Sequence, residues 1–212
     1  MKIVCYGDSN TWGYNSLTGI RHEKPYPTLL QEALPQDLVI NEGLNGRTTV
    51  YDDPYDDTRN GLKDIRRCIK THLPIDVLVI MLGTNDAKRM FQTTPLSFQK
   101  SMRSLLYKAI DKELYRSGYG QPKILVVSPP RMHSDYFKNE DTKITFGEQG
   151  YEVMESAASC IESCIQPLQE YDIDFLDTTN ICMAQDIDGI HMDQENHEKL
   201  AKAILERIQT YK

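Results

Sequence analysis

Lys2-Ile3-Val4-Cys5-Tyr6-Gly7-Asp8-Ser9-Asn10-Thr11-Trp12-Gly13 opens the chain, and two readings meet in it. Lys2–Tyr6 is a short apolar run with little polar alternation, the pattern of a strand covered on both faces. Past Tyr6 the sequence turns small and polar within two residues. Four more runs repeat the strand pattern: Leu38–Asn41, Val77–Leu82, Ile124–Ser128 and Asp174–Leu176. Helical stripes lie between and after them. Leu62, Ile65, Cys68, Ile69 and His72 share one face; Phe98, Met102, Leu105, Leu106, Ala109 and Ile110 share another. Val153, Ala157, Cys160, Ile161, Cys164, Ile165 and Leu168 form a third stripe. Leu200, Ala201, Ile204, Leu205 and Ile208 form the last, and Tyr26–Leu34 is a shorter helix ended by Pro35. All keep the 3.6-residue period. The alternation predicts a three-layer α/β/α fold, doubly wound, with a mostly parallel five-stranded sheet.

A chain of 212 residues is expected to form one domain, residues 1–212, and is long enough to bury a core without disulfide or metal. Apolar residues at 40% and charged residues at 26% exclude a disordered chain. The net charge of −7 leans against a nucleic-acid or anionic-membrane partner. Five cysteines, an odd number with no C-x-x-C pair, read as thiols of a reducing compartment. No stretch of 18 apolar residues and no apolar leader is present, so a cytoplasmic protein without integral membrane association is expected.

Ligands of such sheets bind beyond the carboxyl ends of the strands. The residues there carry the chemistry. Ser9 follows the first strand in Gly7-Asp8-Ser9, where a tight turn can present its hydroxyl beside backbone N–H groups. A simple turn with Ser9 as a helix cap is the alternative; a phosphate loop is not, because its lysine pattern is missing. The second strand leads into Asn41-Glu42-Gly43-Leu44-Asn45-Gly46-Arg47-Thr48-Thr49, in which Gly43 and Gly46 permit close backbone approach. The third leads into Gly83-Thr84-Asn85-Asp86, where the Asn85 amide is suited to a developing oxyanion, or else to a cap. After the fifth comes Asp188-Gly189-Ile190-His191, with an Asp three residues before a His that it can orient. Asp188, His191, Asp193 and His197 are close in sequence but lack metal-binding spacing, and His197 reads as structural.

Taken in order, these four blocks resemble the SGNH, or GDSL-type, hydrolase superfamily. The matches run from Gly7 to His191. Thr11-Trp12-Gly13 and Gly46-Arg47-Thr48-Thr49 are similar to its arylesterase/acyltransferase branch. The resemblance implies a flavodoxin-like hydrolase fold and a serine esterase acting on small acyl esters of aryl or sugar alcohols. It implies Ser9 as nucleophile, His191 as general base and Asp188 as its partner. The N–H groups of Ser9 and Gly46 (Gly43 as fallback) and the side chain of Asn85 form the oxyanion hole. No cofactor or metal is implied. The partner is a small-molecule ester, and the branch also implies a homo-oligomer. Acyl transfer to an alcohol or peroxide, lysophospholipase action and a non-catalytic binding module are the alternatives. The chain departs from the superfamily where Asn10 replaces the usual Leu.

Asn10, Trp12 and Arg47 are the candidate substrate-binding residues. Trp12 has packing under the loop as its alternative, and Arg47 has pairing with a carboxylate. Asp8 and Asp86 are expected to support the Ser9 turn and the Asn85 loop. The acidic run Asp52-Asp53-Pro54-Tyr55-Asp56-Asp57 lacks a calcium-loop pattern and is expected as a solvated loop at the site mouth that disfavours anionic substrates. Pro129–Gly150 is expected as a long irregular loop, serving as a lid or an interface.

Overall fold

The computed structural model describes residues 1–116 and 118–211. Five strands, β1 (Lys2–Gly7), β2 (Leu38–Gly43), β3 (Val77–Met81), β4 (Lys123–Val127) and β5 (Ile173–Leu176), form one sheet in the order β2-β1-β3-β4-β5. Every neighbouring pair is parallel. The helices are α1 (Ser9–Trp12), α2 (Tyr26–Ala33), α3 (Gly61–His72), α4 (Pro95–Ala109), α5 (Glu140–Thr145), α6 (Gly147–Glu155), α7 (Ala157–Ile165) and α8 (Gln194–Gln209).

Alternation along β1 builds two cores. Ile3 and Cys5 pack with α2 and α8 through Tyr26, Leu30, Leu200 and Ile204. Val4 and Tyr6 point the other way, towards Ile65, Phe98, Met102, Val153 and Ile161 on α3, α4, α6 and α7. Both faces are therefore dry, which is why β1 reads as a continuous apolar run. Each large apolar side chain so buried contributes about 1.5–3 kcal/mol. The register then sets up the site. Gly7 is paired with Gly43 on one side and Met81 on the other. The chain therefore leaves β1, β2 and β3 at one level, and the segments carrying Ser9, Gly46 and Asn85 emerge side by side.

Two expectations change. The third apolar stripe is not one helix: α6 and α7 separate at Ser156, whose Oγ donates to the Val153 carbonyl at 2.9 Å and competes with the helical ladder. The stripe nevertheless faces one core. Pro129–Gly150 is not irregular throughout. It holds a 3₁₀ turn at Tyr136–Lys138, all of α5 and the start of α6. Asn139 caps α5 by accepting from the Thr142 N–H at 3.0 Å.

Candidate active site

Ser9 is the first residue of α1, directly beyond β1. Asp8 caps this short helix, its Oδ1 accepting the Asn10 N–H at 2.9 Å. Gly7 allows the tight turn, since a Cβ there would lie 1.9 Å from Thr11 Oγ1. Across the crevice, His191 Nε2 lies 2.9 Å from Ser9 Oγ, and His191 Nδ1 lies 2.6 Å from Asp188 Oδ2. The other carboxylate oxygen, Oδ1, accepts the N–H groups of Ile190 and His191, each at 3.0 Å. Burial opposes ionisation of Asp188. The bond from the imidazole, its charge and the two N–H groups outweigh burial and hold the carboxyl below its ordinary range. A carboxylate at Nδ1 requires the proton there, which leaves Nε2 to accept from the serine hydroxyl. Tyr14 packs on the imidazole with ring centroids 4.6 Å apart.

The neighbouring loops supply donors. Gly46 has φ +84°, a conformation that favours glycine, and a Cβ there would collide with the Arg59 side chain at 2.5–2.8 Å. Among the described residues its N–H donates to no protein acceptor. Asn85 Nδ2 donates to the Arg47 carbonyl at 3.1 Å. That bond fixes the amide with its nitrogen inward and leaves the second hydrogen uncommitted. Ser9, Gly46, Asn85, Asp188 and His191 line one cavity of about 300 Å³. Its walls add residues that the motifs did not pick out: Tyr14, Asn45, Arg59 and Lys88, then Thr142, Thr145 and Phe146 from the Pro129–Gly150 stretch. Thr142 Oγ1 also donates to the Asp188 carbonyl at 2.7 Å, so α5 braces the His191 loop.

The three candidate substrate-binding residues fall outside this cavity. Asn10 is buried and bridges two loops. Its Nδ2 donates to the Ile190 carbonyl at 3.3 Å and its Oδ1 accepts the Met192 N–H at 3.0 Å, so one side chain grips both neighbours of His191. A leucine could make neither bond. Trp12 has the Arg21 guanidinium 5.3 Å from its ring centroid, and its carbonyl accepts from Arg21 Nε at 2.6 Å. Arg47 is buried, donates to the Gly7 and Glu42 carbonyls, pairs with Asp64 at 3.1 Å and stacks on Tyr6 at 4.1 Å. It ties the second loop to the ends of β1 and β2, and its own carbonyl orients Asn85.

The acidic run is also different from expectation. Asp53 and Asp56 pair with Arg59, and Asp52 pairs with Lys63. None of its carboxylates lines the cavity; the side chain that reaches it is Arg59. His197 lies apart from the reacting groups, its Nδ1 accepting the Tyr26 N–H at 3.4 Å. Burial, with His22 beside it, holds its pKa down to about 3, so the ring is neutral. Asp193 caps α8 by accepting the Asn196 N–H at 2.8 Å.

Asp8 and Asp86 lie buried beneath the loops. Asp86 accepts the N–H and hydroxyl of Thr49. Burial pushes the Asp8 carboxyl up to about 6, and burial, with the Asp8 charge adding to it, pushes Asp86 up to about 7. Both lie above the ordinary 3.8. Over that interval the folded chain holds protons that the unfolded chain releases. The stability from these groups is therefore complete below about pH 4 and is lost as pH rises towards about 7. Asp86→Asn cannot ionise. Its urea midpoint relative to the unsubstituted protein should rise with pH across that window. A difference independent of pH would show that Asp86 does not titrate there.

The sequence profile of the GDSL-like lipase/acylhydrolase family matches residues 5–199. Among solved structures, a carbohydrate acetylesterase family member from Sinorhizobium meliloti is 33% identical, with 99% of this chain and 97% of that chain covered and a TM-score of 0.85. The native aryl esterase of M. smegmatis is 32% identical, with 99% and 98% covered and a TM-score of 0.86. No curated protein sequence matches. Among the described residues no helix is long and apolar enough to cross a membrane. A profile match over most of the chain and a shared fold over nearly all of it place this chain in the GDSL-like lipase/acylhydrolase family.

Proposed function

We propose that residues 1–212 act as one hydrolase domain, a serine esterase that cleaves short acyl esters through an acyl-serine intermediate. The observation that carries this reading is the unbroken chain Ser9 Oγ, His191 Nε2, His191 Nδ1, Asp188 Oδ2, with links of 2.9 and 2.6 Å between residues. Ser9 Oγ attacks the acyl carbonyl as its proton passes to His191 Nε2. The charge that develops on the carbonyl oxygen meets the N–H of Ser9, the N–H of Gly46 and the free amide hydrogen of Asn85. The bond to the alcohol breaks and the alcohol leaves with the proton from His191. Water then adds to the acyl carbon, gives a proton to His191, and the acid departs as Ser9 regains its hydrogen.

Asp188 stabilises the imidazolium in both halves, and Asn10 keeps the His191 backbone in place. A cavity of about 300 Å³, at the small end for ligand sites, suits a short acyl group. Acetylated sugars and aryl acetates are the substrates to try first, following the acetylesterase and aryl esterase relatives. The five cysteines, all free thiols, support a reducing, cytoplasmic setting.

A fluorophosphonate probe tests the reading directly. The phosphonyl group should add once per chain, with loss of fluoride, and tandem mass spectrometry should place it on Ser9. Labelling elsewhere, or none, would sink it.

A further inference from the structure

The buried stripe of α3 ends in a polar residue. Ile65, Cys68 and Ile69 are fully buried, and His72 follows Cys68 by one turn on the same face. Glu42, near the end of β2, meets that face: its Oε1 lies 2.6 Å from His72 Nε2. The donor atoms of Glu42, Cys68 and His72 all lie within 4.8 Å of one another. Among the described residues no other three His, Cys, Asp or Glu side chains converge in this way. None of the three lines the cavity at Ser9.

The donor set is mixed, and its mixture is selective. Sulfur and imidazole nitrogen suit a borderline-soft ion such as zinc, whereas calcium and magnesium take oxygen. Three protein ligands leave one tetrahedral position for water. Zinc holds such donors about 3.3–3.6 Å apart, so the Glu42–His72 pair has to open by about 1 Å or less. An entry path exists. The side chains of His72 and Glu42 are 18% and 20% exposed while Cys68 is closed off, so an ion passes the first two and meets the sulfur as its floor.

The surrounding charges leave room for it. Arg67 lies 3.5 Å from Glu42 Oε2, the oxygen that does not face His72, and so supports the carboxylate as partners of metal ligands do. Asp64 pairs with Arg47 at 3.1 Å and with Arg67 at 2.7 Å. Glu42 and Asp64 between them balance the two arginines, and the Lys2 ammonium donates to the His72 carbonyl at 3.0 Å. Burial, with the Glu42 charge beside it, pushes the Cys68 thiol up to about 12, so the sulfur is protonated before binding. An incoming divalent ion displaces that proton to solvent and the imidazole binds in its neutral form. The site therefore gains one positive charge and not two.

We propose that Glu42, Cys68 and His72 form a zinc site with water as the fourth ligand. Bound there, the ion clamps the end of β2 to the last turns of α3. It takes no part in the proposed ester cleavage, so this inference and the esterase reading fail separately.

Cobalt(II), which replaces zinc and absorbs visible light, tests the site on the untagged full chain kept reduced by a phosphine. One equivalent should give a thiolate-to-cobalt charge-transfer band in the near ultraviolet and the d–d bands of a tetrahedral ion. Zinc should displace the cobalt with a Kd of about 1 µM or below, weaker than structural sites with four protein ligands. Zinc should also raise the thermal midpoint of the unsubstituted protein. The charge-transfer band should vanish in Cys68→Ser. In His72→Gln, at a partly exposed position whose loss opens no hole in the core, affinity should fall about 100-fold or more, beyond the loss of a merely supporting contact. Cys160→Ser changes another thiol, one that is not fully buried, and should bind as the unsubstituted protein does. No band in the unsubstituted protein, a band that survives Cys68→Ser, undiminished affinity in His72→Gln or a band lost in Cys160→Ser would overturn the proposal.

Discussion

Ser9→Ala should lower kcat for phenyl acetate by about 10⁶-fold, the scale of losing a serine nucleophile that works as a unit with its base. The substitution removes one oxygen and leaves its surroundings intact. Ser9 Oγ touches His191 Nε2 at the cavity wall, where water can replace it, so no buried group is orphaned. The urea midpoint should therefore shift little, and folding loss cannot imitate the kinetic result. The oxyanion donors survive, because the N–H groups of residues 9 and 46 belong to the backbone and the Asn85 amide is held by the Arg47 carbonyl. A residual rate of about 10³–10⁴ over water should persist, unaffected by the fluorophosphonate probe. That last control matters, since a trace of unsubstituted protein would dominate the assay and would be titrated away. Retention of more than a few per cent of kcat would remove Ser9 from the chemistry.

The sequence made much of this arrangement legible, for a definite reason. In a doubly wound sheet the strands are apolar on both faces, so the first polar residue beyond each marks the strand end. That rule leads to the turns that carry Ser9 and Asn85; His191, fifteen residues beyond the end of β5, is found instead by its spacing from Asp188 and by the family resemblance. What could not be read is direction around a turn. Asn10, Trp12 and Arg47 are adjacent to site residues in sequence, yet Asn10 bonds to Ile190 and Met192, Trp12 stacks with Arg21, and Arg47 bonds back to the Gly7 carbonyl at the end of β1. Only the intact fold decides those angles.

The α5 wall escaped for another reason. That helix packs over a site rather than into a core, so it lacks a long apolar stripe, and Ile144 is exposed. Its signal was the cap: Asn139 followed by Glu140 and Asp141 is a helix start in sequence. The acidic run reads as uncompensated charge only while Arg59, two residues beyond it, is left out of the sum. Ion pairs with Arg59 and Lys63 then turn the carboxylates away from the cavity.

Asp188→Asn should cost about 10⁴-fold in kcat, although it is the smallest change available at that position. The reason lies in the other carboxylate oxygen. Oδ1 accepts the N–H groups of Ile190 and His191, both at 3.0 Å, and only an oxygen can stay there. The introduced amide must therefore turn its nitrogen to the position of Oδ2, 2.6 Å from His191 Nδ1. An amide NH₂ donates and cannot accept, so Nδ1 gives up its hydrogen and the ring carries its proton on Nε2. That nitrogen then faces the Ser9 hydroxyl as a donor, and the base is blocked by tautomer while every atom remains nearly in place.

Asp188→Ala makes the comparison decisive. It discards the ion pair and leaves two N–H groups unpaired, yet it imposes no tautomer. If the argument is right, the isosteric Asn variant is no more active than Ala despite folding more stably, with the loss in kcat and little change in KM. An Asn variant well above Ala in kcat would mean that the amide is free to flip, and that the two backbone N–H groups do not fix the tautomer of His191.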